Sequence, residues 1–157
     1  MNGRILVAGV GNIFFGDDGF GCEVARRLML QSQRERVTVD DYGIRGTHLA
    51  YDMLSGYDLV ILIDAVRRGG DPGTVYVLEP ELLAPGGVPD AHGMDLSNVF
   101  GMLRTLGGLI PEIRIVGCEP ALVEEGIGLS DVVARSVDVA LEHVSSLLST
   151  RTAAVAS

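Results

Sequence analysis

Residues 59–64 have the sequence LVILID, a continuous apolar run that ends at a carboxylate. The length of the run suits one strand and is short for a helix. A strand exposed to water on one side alternates apolar and polar residues, whereas a parallel strand covered on both sides is apolar throughout. The run therefore indicates a buried central strand of an α/β domain.

Short apolar segments alternate with helical patterns on both sides of this run, which predicts a mostly parallel sheet with helices on both faces. One domain is expected over residues 1–149, and residues 150–157, which show no further apolar period, are expected to fray. Five strands are predicted, at residues 5–10, 37–39, 59–63, 74–78 and 113–116. Helices are predicted at residues 20–28, 47–54, 96–103 and 133–148.

The connection between the third and fourth predicted strands breaks this alternation. About nine residues, AVRRGGDPG, separate the two strands, whereas a crossover between parallel strands needs a dozen or more. The fourth strand is therefore expected to be antiparallel and to lie at an edge of the sheet.

The composition excludes several classes of partner. Asp and Glu number 21 against 12 Lys and Arg, and the resulting charge of −9 repels nucleic acids and anionic membrane surfaces. The two cysteines, Cys22 and Cys118, form no CxxC pair, so neither a disulfide framework nor a zinc site is indicated. The N-terminal apolar stretch is too short for a signal peptide, and we expect a cytoplasmic protein without membrane spans.

The sequence GVGNIFFGDDGFG, residues 9–21, begins like a dinucleotide-binding loop but departs from it. The GxGxxG pattern fails at Phe14, although acids at the end of the second strand keep nucleotide binding open as an alternative. Asp17 precedes the first predicted helix and is expected to cap it. Only one side chain can occupy the cap position, so Asp18 is left as a candidate for chemistry.

Asp18, Asp64 and His92 are the candidate site residues. Asp18 and Asp64 follow the first and third strands, and ligands of open α/β sheets bind at the carboxyl ends of strands. His92 lies in a long loop rich in Pro and Gly, whereas His48 and His143 lie on predicted helices and are expected at the surface. Two carboxylates and an imidazole suit a divalent transition metal with open coordination positions. All three are expected to be exposed in a cleft.

A serine or cysteine nucleophile has little support. The chain has no GxSxG motif, and Cys22 falls among apolar neighbours of the first predicted helix, where a buried small side chain is expected. Cys118 ends the fifth strand near the proposed site without an evident base, and it remains a minor alternative.

Several stretches together resemble one protein family: residues 9–21, DYGIRG at 41–46, LIDAV at 62–66, the loop that carries His92, and GCEP and GIGLS within 117–130. They are similar to the hydrogenase maturation endopeptidases, which remove a C-terminal extension from the large subunit of nickel–iron hydrogenases. The resemblance covers nearly the whole chain. It implies a three-layer α/β/α sandwich whose five-stranded sheet is mostly parallel with one antiparallel strand.

The resemblance also implies a site and a partner. The family gathers an acid of the opening block, the acid at the strand end and the loop histidine around nickel, and these metal-binding and catalytic roles fall on Asp18, Asp64 and His92. The implied partner is a hydrogenase large-subunit precursor, which supplies the nickel, so the free protein is not expected to hold the ion tightly. A non-catalytic metal-binding or docking module with the same ligands is the alternative.

One stretch departs from the family pattern. Many relatives carry a sequence like DGGTxG after the second strand, where this chain has Asp41 to Gly46 with Arg45 inside it. A fixed positive charge beside the cleft would pair with a carboxylate of the substrate or with one of the chain's own acids. The choice of partner is therefore expected to differ from that of other members of the family.

Overall fold

The computed structural model describes residues 3–31, 34–79 and 95–156 of the chain. The strands of this part are β1 Ile5–Val10, β2 Val37–Gly43, β3 Leu59–Ala65, β4 Val75–Leu78 and β5 Glu112–Cys118. The helices are α1 Phe20–Met29, α2 Gly46–Met53, α3 Leu96–Thr105 and α4 Asp131–Ala156, and a short 3-10 turn covers Gly16–Gly19.

The five strands form one mixed sheet in the order β2-β1-β3-β5-β4. β1 pairs in parallel with β2 and β3, and β3 pairs in parallel with β5. β4 is antiparallel to β5 and lies at the edge of the sheet. This confirms the orientation predicted from the short connection between β3 and β4.

Each face of the sheet is covered by two helices, which confirms the three-layer α/β/α sandwich. Side chains of α1 and α4 pack on one face in a core that includes Val7 and Ile61. Side chains of α2 and α3 pack on the other face in a core that includes Leu6 and Leu62. Neighbouring residues of β1 and β3 thus enter opposite cores, and neither face requires a polar residue. This explains the continuous apolar run in β3.

Three strands continue beyond their predicted ends. β2 runs to Gly43, β3 to Ala65 and β5 to Cys118, so each includes polar or small residues that hydrophobic patterning leaves out. In β2, Asp40 and Asp41 are held extended by backbone pairing with Ala8 and Gly9 of β1. Backbone pairing does not depend on an apolar side chain, which is why the pattern gives no sign of it.

Helix α4 has 26 residues and ends at Ala156, so helical backbone continues beyond the predicted end of this helix at residue 148. The Thr150 hydroxyl donates to the Ser146 carbonyl at 3.0 Å, and Arg151 forms an ion pair with Glu112 of β5. Alanine also has the highest helix propensity, so the alanines near the end of α4 favour helix although no apolar residues recur there at helical spacing. In the part of the chain that the structure describes, no helix is long and apolar enough to cross a membrane.

Candidate active site

The carboxyl ends of β1, β2 and β3 lie side by side because these strands are parallel neighbours. The segments that follow them are tied together, since the backbone N–H of Gly11 donates to the carbonyl of Gly43 at 2.9 Å. This edge of the sheet is where ligands of open α/β sheets bind. It is also where the sequence predicts Asp18 and Asp64.

Asp18 lies in the 3-10 turn between β1 and α1 and is buried, with 1% of its surface exposed. Its Oδ2 accepts a hydrogen bond from the backbone N–H of Asn12 at 2.8 Å, which turns the side chain back toward the end of β1. The expectation that Asp18 is exposed is therefore wrong. The 3-10 turn places the Asp18 carboxylate where it accepts the hydrogen bond of the Asn12 N–H in the preceding loop.

Asp64 ends the apolar part of β3 and is partly exposed. Its Oδ1 accepts a hydrogen bond from the N–H of Ala65 at 2.8 Å. A β-carbon built on Gly11 would clash with the carbonyl oxygen of Asp18 and lie 3.5 Å from Oδ1 of Asp64. The backbone of Asp18 and the carboxylate of Asp64 therefore both lie close to Gly11, and the structure brings the two predicted residues to one place.

The third predicted residue, His92, lies outside the described residues. Among residues 3–31, 34–79 and 95–156, no group of three or more His, Cys, Asp or Glu side chains is arranged to hold a metal ion. Asp18 and Asp64 are carboxylates, a donor type that divalent transition metals accept, but they are two of the three ligands that the sequence predicts. The role of His92 stays a prediction.

Cys22 is a buried neutral thiol at this edge of the sheet. It donates to the carbonyl of Gly11 at 3.4 Å. Burial first, then a hydrogen bond to Asp41 and the negative charges of Asp41 and Asp64, raise the pKa of the Cys22 thiol far above its ordinary value. Since the thiolate is the nucleophilic form, Cys22 acts as a hydrogen-bond donor, and its predicted burial is confirmed.

Cys118 is fully buried at the end of β5. Burial is the main cause that raises the pKa of its thiol to about 11. A group with this pKa is almost entirely protonated at neutral pH. The geometry therefore gives no support to the alternative in which Cys118 is the nucleophile.

Asp17 does not cap helix α1. The N-cap residue of α1 is Gly19, and no side chain caps this end. The fully buried carboxylate of Asp17 instead accepts hydrogen bonds from the backbone N–H groups of Ala121, Leu122 and Ser130 and from the Ser130 hydroxyl, at 2.7 to 2.9 Å. The capping prediction was wrong because the Asp17 carboxylate binds the loop between β5 and α4, which is more than a hundred residues away along the chain.

Arg45 is exposed and turns back on its own segment of the chain. Its guanidinium donates to the backbone carbonyls of Tyr42 and Asp41 and contacts Nδ1 of His48 at 3.3 Å. In this conformation Arg45 stabilises the turn after β2, and none of these contacts is with a carboxylate or a site acid. His48 and His143 are both exposed on helices, as predicted.

Glu119 is a buried acid at the end of β5 that the sequence analysis missed. Its Oε1 accepts hydrogen bonds at 2.9 Å from the N–H groups of Arg68 and Gly70 and from the Tyr76 hydroxyl. Burial disfavours the charged form, but these donors outweigh it and lower the pKa of Glu119. The carboxylate thereby fixes the loop that follows Asp64. The sequence signal is an acid directly after a buried strand, the same signal that identified Asp64.

The comparison with known proteins decides the family. The family model described as HycI, hydrogenase maturation protease, matches residues 22–147, a region that contains Asp64 and His92 and begins after Asp18. The chain belongs to the hydrogenase maturation protease family. It is 33% identical over 149 residues to the hydrogenase 2 maturation protease of Escherichia coli, covering 90% of this chain and 88% of that relative.

Solved structures of the hydrogenase maturation protease family have the same fold. The hydrogenase maturating endopeptidase HybD from Escherichia coli matches with a TM-score of 0.82 and 31% identity, over 94% of this chain and 93% of that one. The maturation protease HycI from Thermococcus kodakarensis matches with a TM-score of 0.76 and 26% identity, over 93% and 92% of the two chains. The resemblance inferred from the sequence motifs is thereby confirmed.

Proposed function

We propose that this hydrogenase maturation protease is an endopeptidase that removes the C-terminal extension of a nickel–iron hydrogenase large-subunit precursor after nickel has been inserted. The observation that carries the proposal is that the Asp18 backbone and the Asp64 carboxylate both lie close to Gly11, at the edge of the sheet where open α/β sheets bind their ligands. The expected compartment of this reaction is the cytoplasm.

Nickel enters the proposal as part of the substrate. Asp18, Asp64 and His92 would complete the coordination of an ion that the precursor already holds, so that only a loaded precursor is recognised. One oxygen of each aspartate is hydrogen-bonded to a backbone N–H, which fixes the side chain before the substrate arrives. Asp64 is the member of the pair that solvent reaches.

The state of the two thiols supports hydrolysis by water. Cys22 and Cys118 are buried and protonated, so neither supplies a thiolate to attack the scissile carbonyl. In the proposed reaction the oxygen of a water molecule bonds to the carbonyl carbon, the C–N bond breaks, and a proton passes to the leaving amine. Carboxylates at the site are suited to accept the proton of the water.

The test is incubation of the protein with a nickel-loaded precursor, followed by mass spectrometry of the large subunit. We expect loss of a short C-terminal peptide with the wild type, and no loss with Asp64→Asn or His92→Ala. His48→Ala is the matched control, because His48 is exposed on α2 and is proposed to have no part in the reaction. Binding of the precursor without any cleavage would contradict the proposal and favour the non-catalytic docking module.

A further inference from the structure

A group of large apolar side chains is exposed beside the two site acids. They lie on the loops that follow β1 and β5, at the carboxyl edge of the sheet. The group, called the apolar rim below, consists of Ile13, Phe14, Leu122 and Ile127, which are 47%, 57%, 49% and 78% exposed. Exposed apolar surface that is contiguous marks sites of interaction.

Backbone hydrogen bonds hold the two loops of the apolar rim side by side. The N–H of Gly126 donates to the carbonyl of Phe14 at 2.8 Å, and the N–H of Gly16 donates to the carbonyl of Gly126 at 2.9 Å. The N–H of Asp17 donates to the carbonyl of Leu122 at 2.9 Å. Phe14 and Ile127 therefore flank a short bridge between the loops and belong to one surface.

Asp17 fixes the apolar rim to the site. Its buried carboxylate binds the loop that carries Leu122 and Ile127 through Ala121, Leu122 and Ser130. The next residue along the chain is Asp18, whose backbone carbonyl lies against Gly11 and whose carboxylate accepts a hydrogen bond from the N–H of Asn12. The rim and the site acids are thus parts of one rigid arrangement, in which the apolar side chains are positioned before any partner binds.

We propose that the apolar rim is the docking surface for the folded hydrogenase precursor, and that it contacts apolar surface of the precursor beside the segment to be cleaved. The inference rests on the proposed function. Three ligands to one metal ion cover little area, whereas specific protein complexes bury about 1,600 Å² in total. The rim is continuous with the site and offers uncharged contact on a chain whose net charge is −9.

The experiment measures KM and kcat for processing of nickel-loaded precursor by Phe14→Ser and Ile127→Ser. Both side chains are more than half exposed, so their loss removes little core contact, and circular dichroism checks the fold. We expect KM to rise about tenfold with little change in kcat, since docking residues act on binding and not on the chemical step. Leu109→Ser is the matched control, because Leu109 is 89% exposed at the opposite edge, before β5, and should keep the wild-type KM.

The possible outcomes separate this inference from the function on which it rests. A wild type that processes the precursor, with an unchanged KM in both rim variants, would overturn the docking surface and leave the function intact. A wild type that does not process loaded precursor would overturn both. A rise in KM accompanied by a change from dimer to monomer in light scattering would assign the apolar rim to self-association and overturn its role in docking.

Discussion

Ser130 donates two hydrogen bonds to the buried carboxylate of Asp17, from its backbone N–H at 2.7 Å and from its hydroxyl at 2.8 Å. Asp17 and Asp18 are neighbours in the sequence but serve different parts of the molecule. Asp17 holds the loop between β5 and α4, and Asp18 belongs to the candidate site.

Replacing Asp17 with Asn should destabilise the fold by about 3 kcal/mol, because an amide offers one acceptor oxygen to donors that face both carboxylate oxygens. Urea unfolding gives the free energy of unfolding directly. Asp138→Asn is the control, since the side chain of Asp138 is 82% exposed. Equal stability of the two variants would show that the Asp17 hydrogen bonds contribute nothing to the fold.

The pKa of Glu119 predicts part of the acid sensitivity of the protein. Hydrogen bonds outweigh burial and hold this pKa below the ordinary value of 4.5. A lowered pKa in the folded state stabilises the fold above pH 4.5, and this stability is lost as the pH falls through the folded pKa. Urea unfolding should therefore show a large difference between wild type and Glu119→Gln at about pH 7, and a smaller one at about pH 3.5. A difference that does not change with pH would contradict the assignment.

Neither thiol should be needed for processing. Cys22→Ser and Cys118→Ala are expected to cleave the precursor at close to the wild-type rate, because both thiols are buried and protonated. Iodoacetamide should label neither cysteine at neutral pH until the protein is unfolded. Rapid labelling of Cys118 in the native protein together with loss of cleavage would instead restore a thiol mechanism.

Gly11→Ala should abolish processing and destabilise the fold. Gly11 has a φ of +136°, and an added β-carbon would also clash with the carbonyl of Asp18. Gly56→Ala is a matched control, because Gly56 also has a positive φ, of +85°, but nothing lies within 4 Å of the added atom. The control should lose about 1 kcal/mol of stability and keep its activity. Normal processing by Gly11→Ala would mean that the spacing of Asp18 and Asp64 is not important.

Local sequence was enough to predict most of the fold. The apolar run in β3 indicates burial on both faces, and the short connection after Ala65 is enough to make β4 antiparallel. Asp64 was predictable because a carboxylate that ends a buried strand must emerge at a known edge of the sheet. These inferences need only neighbouring residues and the rules of strand connection.

The remaining features depend on contacts between distant parts of the chain. Ser130, one of the residues that bind the Asp17 carboxylate, is 113 residues away along the chain. The sequence around Asp17 therefore gives no reason to predict this long-range contact in place of a helix cap. The burial of Asp18 likewise depends on how the turn folds against β1. Helix α4 continues beyond the last apolar residue of its helical pattern, and there Arg151 forms an ion pair with Glu112 of β5.

The central claim is that the site recognises nickel carried by the substrate. Its most direct test compares processing of nickel-loaded and nickel-free precursor at equal peptidase concentration, with nickel titrated in parallel into the free peptidase. We expect cleavage of the loaded precursor only, and weak binding of nickel by the free protein, because the three proposed ligands come from separate segments and would leave coordination positions open. Equal cleavage of the nickel-free precursor would mean that Asp18, Asp64 and His92 recognise something other than the metal of the substrate.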